Sequence, residues 1–233
     1  DPTIASKKWI YHQYDYQVQN NTILPPGSAD AAVIRLRPIN TGESDSIRGI
    51  AAVVDCPNRW VSLDPERGAI ASVAEASRNI NCVGAIPLAV TNNLNFASPE
   101  DNLGYWQLAK SCEGITKACS FLGTPVTGGN VSLFNETTLS DGNKKPIQPT
   151  PVIGMVGLID DIDCIIRQAW INPGDHIYLI GVPLSSSNGQ VTLSATSYLS
   201  NIFDLITGRP PLIDLELEKS AQLLVNTLIS EKL

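Results

Sequence analysis

The chain has 233 residues, 43% of them hydrophobic and 17% charged, with a formal net charge of −7. That balance fits a folded protein with room for one large or two small domains and excludes a disordered one. An acidic surface repels nucleic-acid phosphates, and no Lys/Arg run is longer than Lys7-Lys8 or Lys144-Lys145, so no nucleic-acid partner is expected.

No apolar run approaches the roughly 18 residues of a membrane span, so no membrane partner is expected. Asp1 to Lys8 lacks a signal-peptide layout. The five cysteines, Cys56, Cys82, Cys112, Cys119 and Cys164, are odd in number and form no C-x-x-C pair. Buried thiols in a reducing cytoplasm are expected. Cys112 and Cys119 lie one heptad apart and share a helix face as small core residues.

Along the chain, Ser6 is placed to cap a helix through Trp9, Ile10 and Tyr14. Pro25-Pro26-Gly27 breaks it. Ala31–Leu36 and Gly49–Asp55 read as strands, the second apolar enough to be buried. The stretch Asn40–Ser46 between them reads as a polar loop. Gly68–Cys82 reads as a helix, with Ile70, Val73, Ala74, Ser77 and Ile80 at helical spacing and Gly84 where it ends. Pro87–Asn92 begins a buried strand.

Ser98-Pro99-Glu100-Asp101 has the form of a helix start, with Ser98 as cap. That helix runs through Trp106, Leu108, Ala109, Cys112, Ile115 and Cys119 to Gly123. Thr124–Phe134 reads as a strand interrupted at Gly128-Gly129, Glu136–Gln148 as a polar loop, and Thr150–Ile159 as a strand. Asp160-Asp161-Ile162-Asp163 marks a domain boundary. Beyond it, Ile177–Gly181 reads as a strand, Leu184–Gly189 as a Ser/Gly-rich turn and Asp214–Leu233 as an amphipathic helix. So few elements cannot close a core, which predicts a fragment cut within its second domain. The predicted class is mixed α+β: residues 1–160 form one domain and residues 163–233 begin an α/β unit. A doubly wound sheet fits less well, because no helix joins the first two long strands.

Three segments carry candidate chemistry. In Thr124–Ser132, two mid-strand glycines are costly unless something approaches the backbone, and a phosphate chain is the usual visitor. Asn130 offers a neutral oxygen suited to a magnesium ion already held by phosphates. Ser132, two residues on, shares its face and adds a hydroxyl. A glycine bulge with a structurally bonded Asn fits the same spacing. Thr91-Asn-Asn-Leu-Asn-Phe96 places three amides at a strand end before a helix, a favoured ligand position; a turn of locally bonded Asn side chains is the alternative. Asp55-Cys-Pro-Asn-Arg59 with Asp64 offers two carboxylates and a guanidinium for an ion or phosphate, or else a structural Asp–Arg pair. His12 and His176 lack any surrounding motif, and no zinc-site spacing occurs.

Together the motifs resemble the phosphoribosylformylglycinamidine synthase family over nearly the whole chain. They include Gln13-Tyr-Asp15, Leu63-Asp-Pro65, Leu94-Asn-Phe96, Gly128-Gly-Asn-Val-Ser132, Asn135-Glu-Thr137, Gly154-Met-Val-Gly157 and Gly208-Arg-Pro-Pro211. The resemblance implies the second half of the synthetase subunit: a barrel-forming N-terminal domain of the aminoimidazole ribonucleotide synthetase type, then the start of an α/β domain. It implies ATP and Mg²⁺ as cofactors. ATP phosphorylates an amide oxygen of formylglycinamide ribonucleotide, and ammonia from glutamine displaces phosphate to give the amidine. By position, Asn92 and Gly129 meet ATP, Asn130 binds Mg²⁺ and Ser132 holds substrate. The partners implied are the first half of the synthetase, a glutaminase subunit and a small accessory subunit.

The first half carries the catalytic His in a Glu-Ser-His-Asn-His-like motif. Here the matching strand reads Val54-Asp-Cys-Pro-Asn58, so the chain is expected to be inactive alone. The family usually has Asp at position 92 and Gly at position 97, where this chain has Asn92 and Ala97. Loss of the Asp charge weakens binding, and Ala97 is strained if that backbone needs positive φ. A non-catalytic scaffold that pairs with the first half is the rival reading. A phosphate-transferring kinase of the same superfamily ranks lower, because Gln13-Tyr-Asp15 stands where an Asp-rich metal motif is required.

Overall fold

The structure, a computed structural model, describes residues 5–37, 47–181 and 193–232. The expected Asn40–Ser46 loop and Leu184–Gly189 turn lie outside the described residues. Ser6 Oγ accepts from the Lys8 N–H at 3.3 Å, but helix α1 is only Lys8–Tyr11 and buries nothing. Too few apolar side chains there find a surface to cover, so the expected longer helix does not form.

The first three strands, β1 (Thr22–Leu24), β2 (Ala32–Arg35) and β3 (Gly49–Asp55), pair antiparallel. Helix α2 (Asn58–Leu63) leads into α3 (Pro65–Cys82). Asp64 caps α3, accepting from the Arg67 N–H at 3.1 Å with Pro65 in the first turn, a pairing that satisfies an orphan donor. All five residues expected on its apolar stripe, Ile70, Val73, Ala74, Ser77 and Ile80, are buried.

Strand β4 (Ile86–Asn95), helix α4 (Asn102–Leu122) and strand β5 (Val126–Ser132) form a parallel βαβ unit. Helix α4 starts later than expected. Asp101 is its N-cap, without a side-chain bond, and Ser98 instead closes a turn by accepting from the Glu100 N–H at 3.2 Å. Gly123 ends the helix in the left-handed conformation, as its sequence position predicted. Gly114 lets α4 meet α3: a Cβ there would lie 2.4 Å from the Glu66 carbonyl oxygen. The expected loop 136–148 contains a small hairpin, β6 (Glu136–Thr138) with β7 (Lys144–Pro146), and β8 is Thr150–Ile159.

Among the described residues six strands make one open sheet in the order β1-β2-β3-β8-β4-β5, with only β4 and β5 parallel. This is the mixed α+β class. The sheet does not close into a barrel among the described residues. One face packs on α3 and α4 through Val33, Ala51, Val90, Leu94, Ile153, Met155 and their helical partners; each large side chain so buried is worth about 1.5–3 kcal/mol. The other face is uncovered by the described residues. Alternation places Ile34, Val54, Val156 and Ile86 on it, and Val54 is 69% and Ile86 52% exposed. Strand β3 is therefore covered on one side only, not buried as its apolar sequence implied.

After β8, the expected strand Ile177–Gly181 does not form, and Leu179 is 94% exposed. An apolar run needs a neighbouring strand to complete its hydrogen bonds, and none is paired with it among the described residues. Helix α5 is Ser197–Phe203 and α6 is Leu215–Ser230, capped by Asp214. Helix α6 seats on α3 by a polar face. Gln222, 6% exposed, accepts from Ser77 Oγ at 2.7 Å and Asn81 Nδ2 at 3.1 Å. Arg78 grips Glu218 through two nitrogens at 2.9 and 2.8 Å. Leu217, Leu223 and Leu224 stay exposed. No described helix is long and apolar enough to cross a membrane.

Candidate functional site

The amide-rich end of β4 lies beside the glycine-rich strand β5. The parallel register pairs Thr91 with Gly128, Asn92 with Gly129, Asn93 with Asn130 and Asn95 with Ser132. Strand alternation divides these residues between the two faces. Asn92 sits between Val90 and Leu94, opposite Ile153, and so belongs to the helix-covered face. Asn93 and Asn95, with their partners Asn130 and Ser132, belong to the uncovered face. The structure thus brings Asn130 and Ser132 to one side, and sets the Asn92–Gly129 pair apart from them across the thickness of the sheet.

Strand β5 runs through its glycines as one strand, but its pairing with β4 slips by one residue between Val126 and Gly128, a bulge at Thr127 directly before the glycine pair. Gly129 has φ +156°, and a Cβ there would fall 2.1 Å from Asn92 Oδ1 and 2.2 Å from the Asn92 carbonyl oxygen. Glycine is required at that point both by its backbone conformation and by the contact with Asn92. Gly128 has open space around it.

On the uncovered face, Asn95 Nδ2 reaches Asn93 O at 3.1 Å, Asn93 Oδ1 at 3.2 Å and Thr150 O at 3.3 Å. Asn130 is exposed at the sheet edge. Ser132 Oγ donates to Asn135 Oδ1 at 3.2 Å. Asn135 sits just after Phe134, whose φ of +60° turns the chain back toward β4. Sequence reasoning met Asn135 only inside a family motif and gave it no task; a polar residue three positions after a strand-end Ser was the available signal.

The donor set bears on whether a cation fits. Among the described residues no group of three or more His, Cys, Asp or Glu side chains converges. Asn130 and Asn93 offer only neutral amide oxygens. Such a pair suits Mg²⁺ only when phosphates on the ion supply the negative charge.

The third candidate segment disperses. Asp64 caps α3 and takes Arg209 at 2.9 Å and Arg67 at 3.6 Å. Arg59 instead donates to Ser197 Oγ at 2.7 Å. Asp55 accepts from Asn79 at 3.1 Å and its carboxyl is pushed up, chiefly by burial. Glu75 is also raised, first by burial and then by the Asp55 charge. Burial lifts the Cys56 thiol to about 11. Asp64 and Arg59 thus lie in separate contacts, Asp55 interacts with Glu75 instead, and no joint ion site forms among the described residues. Ala97 is buried and is not among the positive-φ residues, so the strain foreseen for Ala at that position is absent.

The family described as AIR synthase related protein, N-terminal domain, matches residues 28–159. A PurL subunit of phosphoribosylformylglycinamidine synthase from Prochlorococcus marinus is 67% identical over 236 aligned residues, which take in 100% of this chain and 30% of the relative. A Synechococcus PurL subunit is 58% identical, with 97% of the chain and 30% of the relative covered. The chain thus spans under a third of these relatives' length. The solved PurLQS from Thermotoga maritima aligns with a TM-score of 0.59 at 32% identity, over 71% of this chain and 25% of that one. Thermotoga maritima PurL has also been solved in complexes with ATP and with FGAR.

Proposed function

From the premise that this chain belongs to the AIR synthase related family and resembles PurL subunits along its whole length, we propose that it forms part of the ATP-dependent ligase of de novo purine biosynthesis. The reaction joins formylglycinamide ribonucleotide and glutamine-derived ammonia into the amidine, with release of ADP and phosphate. The observation that carries the reading is the 67% identity to a PurL subunit across the full chain.

In this proposal residues 1–160 are a sheet domain that completes a barrel with the first half of the synthetase, and residues 163–233 begin a second domain. The uncovered apolar sheet face supports that pairing, since such a face is stable only when covered. ATP lies over the exposed edge strand β5, so that Asn92 and the Gly129 backbone contact it from one side of the sheet, while on the other Asn130 contributes an oxygen to Mg²⁺ and Ser132 meets the substrate. Mg²⁺ there would neutralise phosphate charge. This chain's own residues bind and orient: amides and a hydroxyl have no proton to exchange near neutral pH, so the acid–base group comes from the first half, and the chain is inactive without it. A glutaminase and a small accessory subunit complete a cytoplasmic assembly.

A scaffold role without nucleotide contact is the second reading, favoured by the all-neutral character of the site. Calorimetry with Mg-ATP on the full-length subunit separates the two. On the ligase reading, Asn130→Ala weakens Mg-ATP binding and abolishes amidine formation. Unchanged affinity and turnover in that variant assign the chain to the scaffold.

A further inference from the structure

Ser132 and Asn135 form a closed hydrogen-bond unit at the end of β5. Asn135 Nδ2 donates to Ser132 O at 2.8 Å and to Phe96 O at 3.1 Å. Its backbone N–H donates to Phe96 O at 3.1 Å, and its carbonyl accepts from the Ile147 N–H at 3.0 Å. Asn135 therefore ties the ends of β4 and β5 to the strap that follows. Two carbonyls against one end of the amide fix its orientation: reversal would set an oxygen against two oxygens. With Oδ1 thereby turned toward Ser132, the only hydrogen that can join them is the serine hydroxyl hydrogen, and the Oγ–Oδ1 separation is 3.2 Å.

A hydroxyl has one hydrogen and two lone pairs. Once that hydrogen is committed to Asn135, Ser132 has only acceptor capacity left for anything that lands on the uncovered face. A phosphate oxygen also only accepts. To bond it, Ser132 would have to withdraw its hydrogen and leave Asn135 Oδ1 without a donor.

We propose that Asn135 is a positioning residue that fixes Ser132 as a hydrogen-bond acceptor, so that Ser132 reads a donor group of the substrate, a hydroxyl or amide N–H, and not its phosphate. This rests on the substrate contact of Ser132 proposed above and adds its polarity.

The test uses the full-length synthetase with its partner subunits. Binding of formylglycinamide ribonucleotide and of its dephosphorylated nucleoside is measured for the parent, Ser132→Ala, Asn135→Ala and the double variant. The expected result is that Ser132→Ala weakens nucleotide and nucleoside by the same factor, about fivefold to tenfold. The Asn135 and Ser132 effects on affinity should also be non-additive, because both remove one contact. Equal, additive losses would show that Asn135 serves folding alone and overturn its positioning role. A loss confined to the nucleotide overturns the acceptor assignment while leaving the substrate contact standing. No loss with either ligand removes the substrate contact itself, and the inference with it. If Asn135→Ala fails to fold, the Ser132→Ala pattern across the two ligands still decides the polarity.

Discussion

Gly129→Ala tests the tightest backbone contact in the site. The added Cβ would meet Asn92 Oδ1 at 2.1 Å and the Asn92 carbonyl oxygen at 2.2 Å. A side-chain rotation can clear the first contact. The second belongs to the backbone of β4, which is held on its far side by β8. Strand β5 must therefore retreat, and it can, because among the described residues it is the sheet edge with β4 as its one neighbour. A residue forced into a glycine-only region costs about 1–3 kcal/mol, and overpacking a similar amount. Edge detachment relieves part of the sum, which sets the expected loss of local stability at about 2–4 kcal/mol. Hydrogen exchange reads it directly, as faster exchange of the amides that pair β5 with β4, while the β3 and β8 amides keep their protection. Adding Asn92→Ala should recover only the part due to Oδ1. Unchanged exchange in Gly129→Ala, or full recovery in the double variant, would refute the backbone argument.

Gln222→Ala should destabilise by about 2–3 kcal/mol in urea denaturation, because Ser77 and Asn81 are left buried without their acceptor; Gln222→Ala combined with Ser77→Ala should cost less than the two summed. Glu75 has a raised pKa, from burial first and Asp55 second, so its neutral form is the one the fold favours. Its contribution is therefore fully present below the ordinary carboxylate pKa of about 4 and is lost as pH rises through the higher folded value. Glu75→Gln should raise stability near pH 7 relative to the parent and flatten the decline above pH 4; an unchanged pH profile of denaturation midpoints would contradict the burial argument. Cys56, lifted to about 11, should resist iodoacetamide at neutral pH in the native protein and react after unfolding, as followed by mass spectrometry.

Local signals carried much of the fold. The stripe on α3 was readable because helical spacing and burial coincide there. Strand β8 was readable end to end, since its alternation is bounded by turn chemistry. Ser98 misled because a capping side chain also closes a turn, and nothing local distinguishes the two. The run 177–181 misled because apolar content signals a strand only if a neighbour supplies its ladder. The 136–148 hairpin was missed because its strands are short and polar. At the site, the pairing of Asn130 with Ser132 followed from a period of two and was legible. The split from Asn92 depended on register between strands some thirty residues apart, which spacing cannot give. Asn135 took its meaning only from the carbonyls of Phe96 and Ser132 that orient it.

On the proposed function, the two faces of the sheet divide the work of binding. On the helix side, large apolar side chains leave no room for a ligand at the centre of the sheet. On the uncovered side, the surface is apolar across β2, β3 and β8 and turns to amides only at the ends of β4 and β5. An apolar sheet face asks for a protein cover; a row of neutral amides at its margin asks for a polar ligand. The two demands meet along one line, so a cover seated on Val54 and Val156 brings its own residues to the rim where Asn93, Asn130 and Ser132 stand. Removal of the apolar cover contacts should therefore weaken ligand binding without touching an amide. Val54→Asp, on a side chain 69% exposed, should leave the fold intact and abolish pairing and Mg-ATP binding together in the full-length subunit. Retained nucleotide affinity after loss of pairing would show that the amide rim binds without a seam.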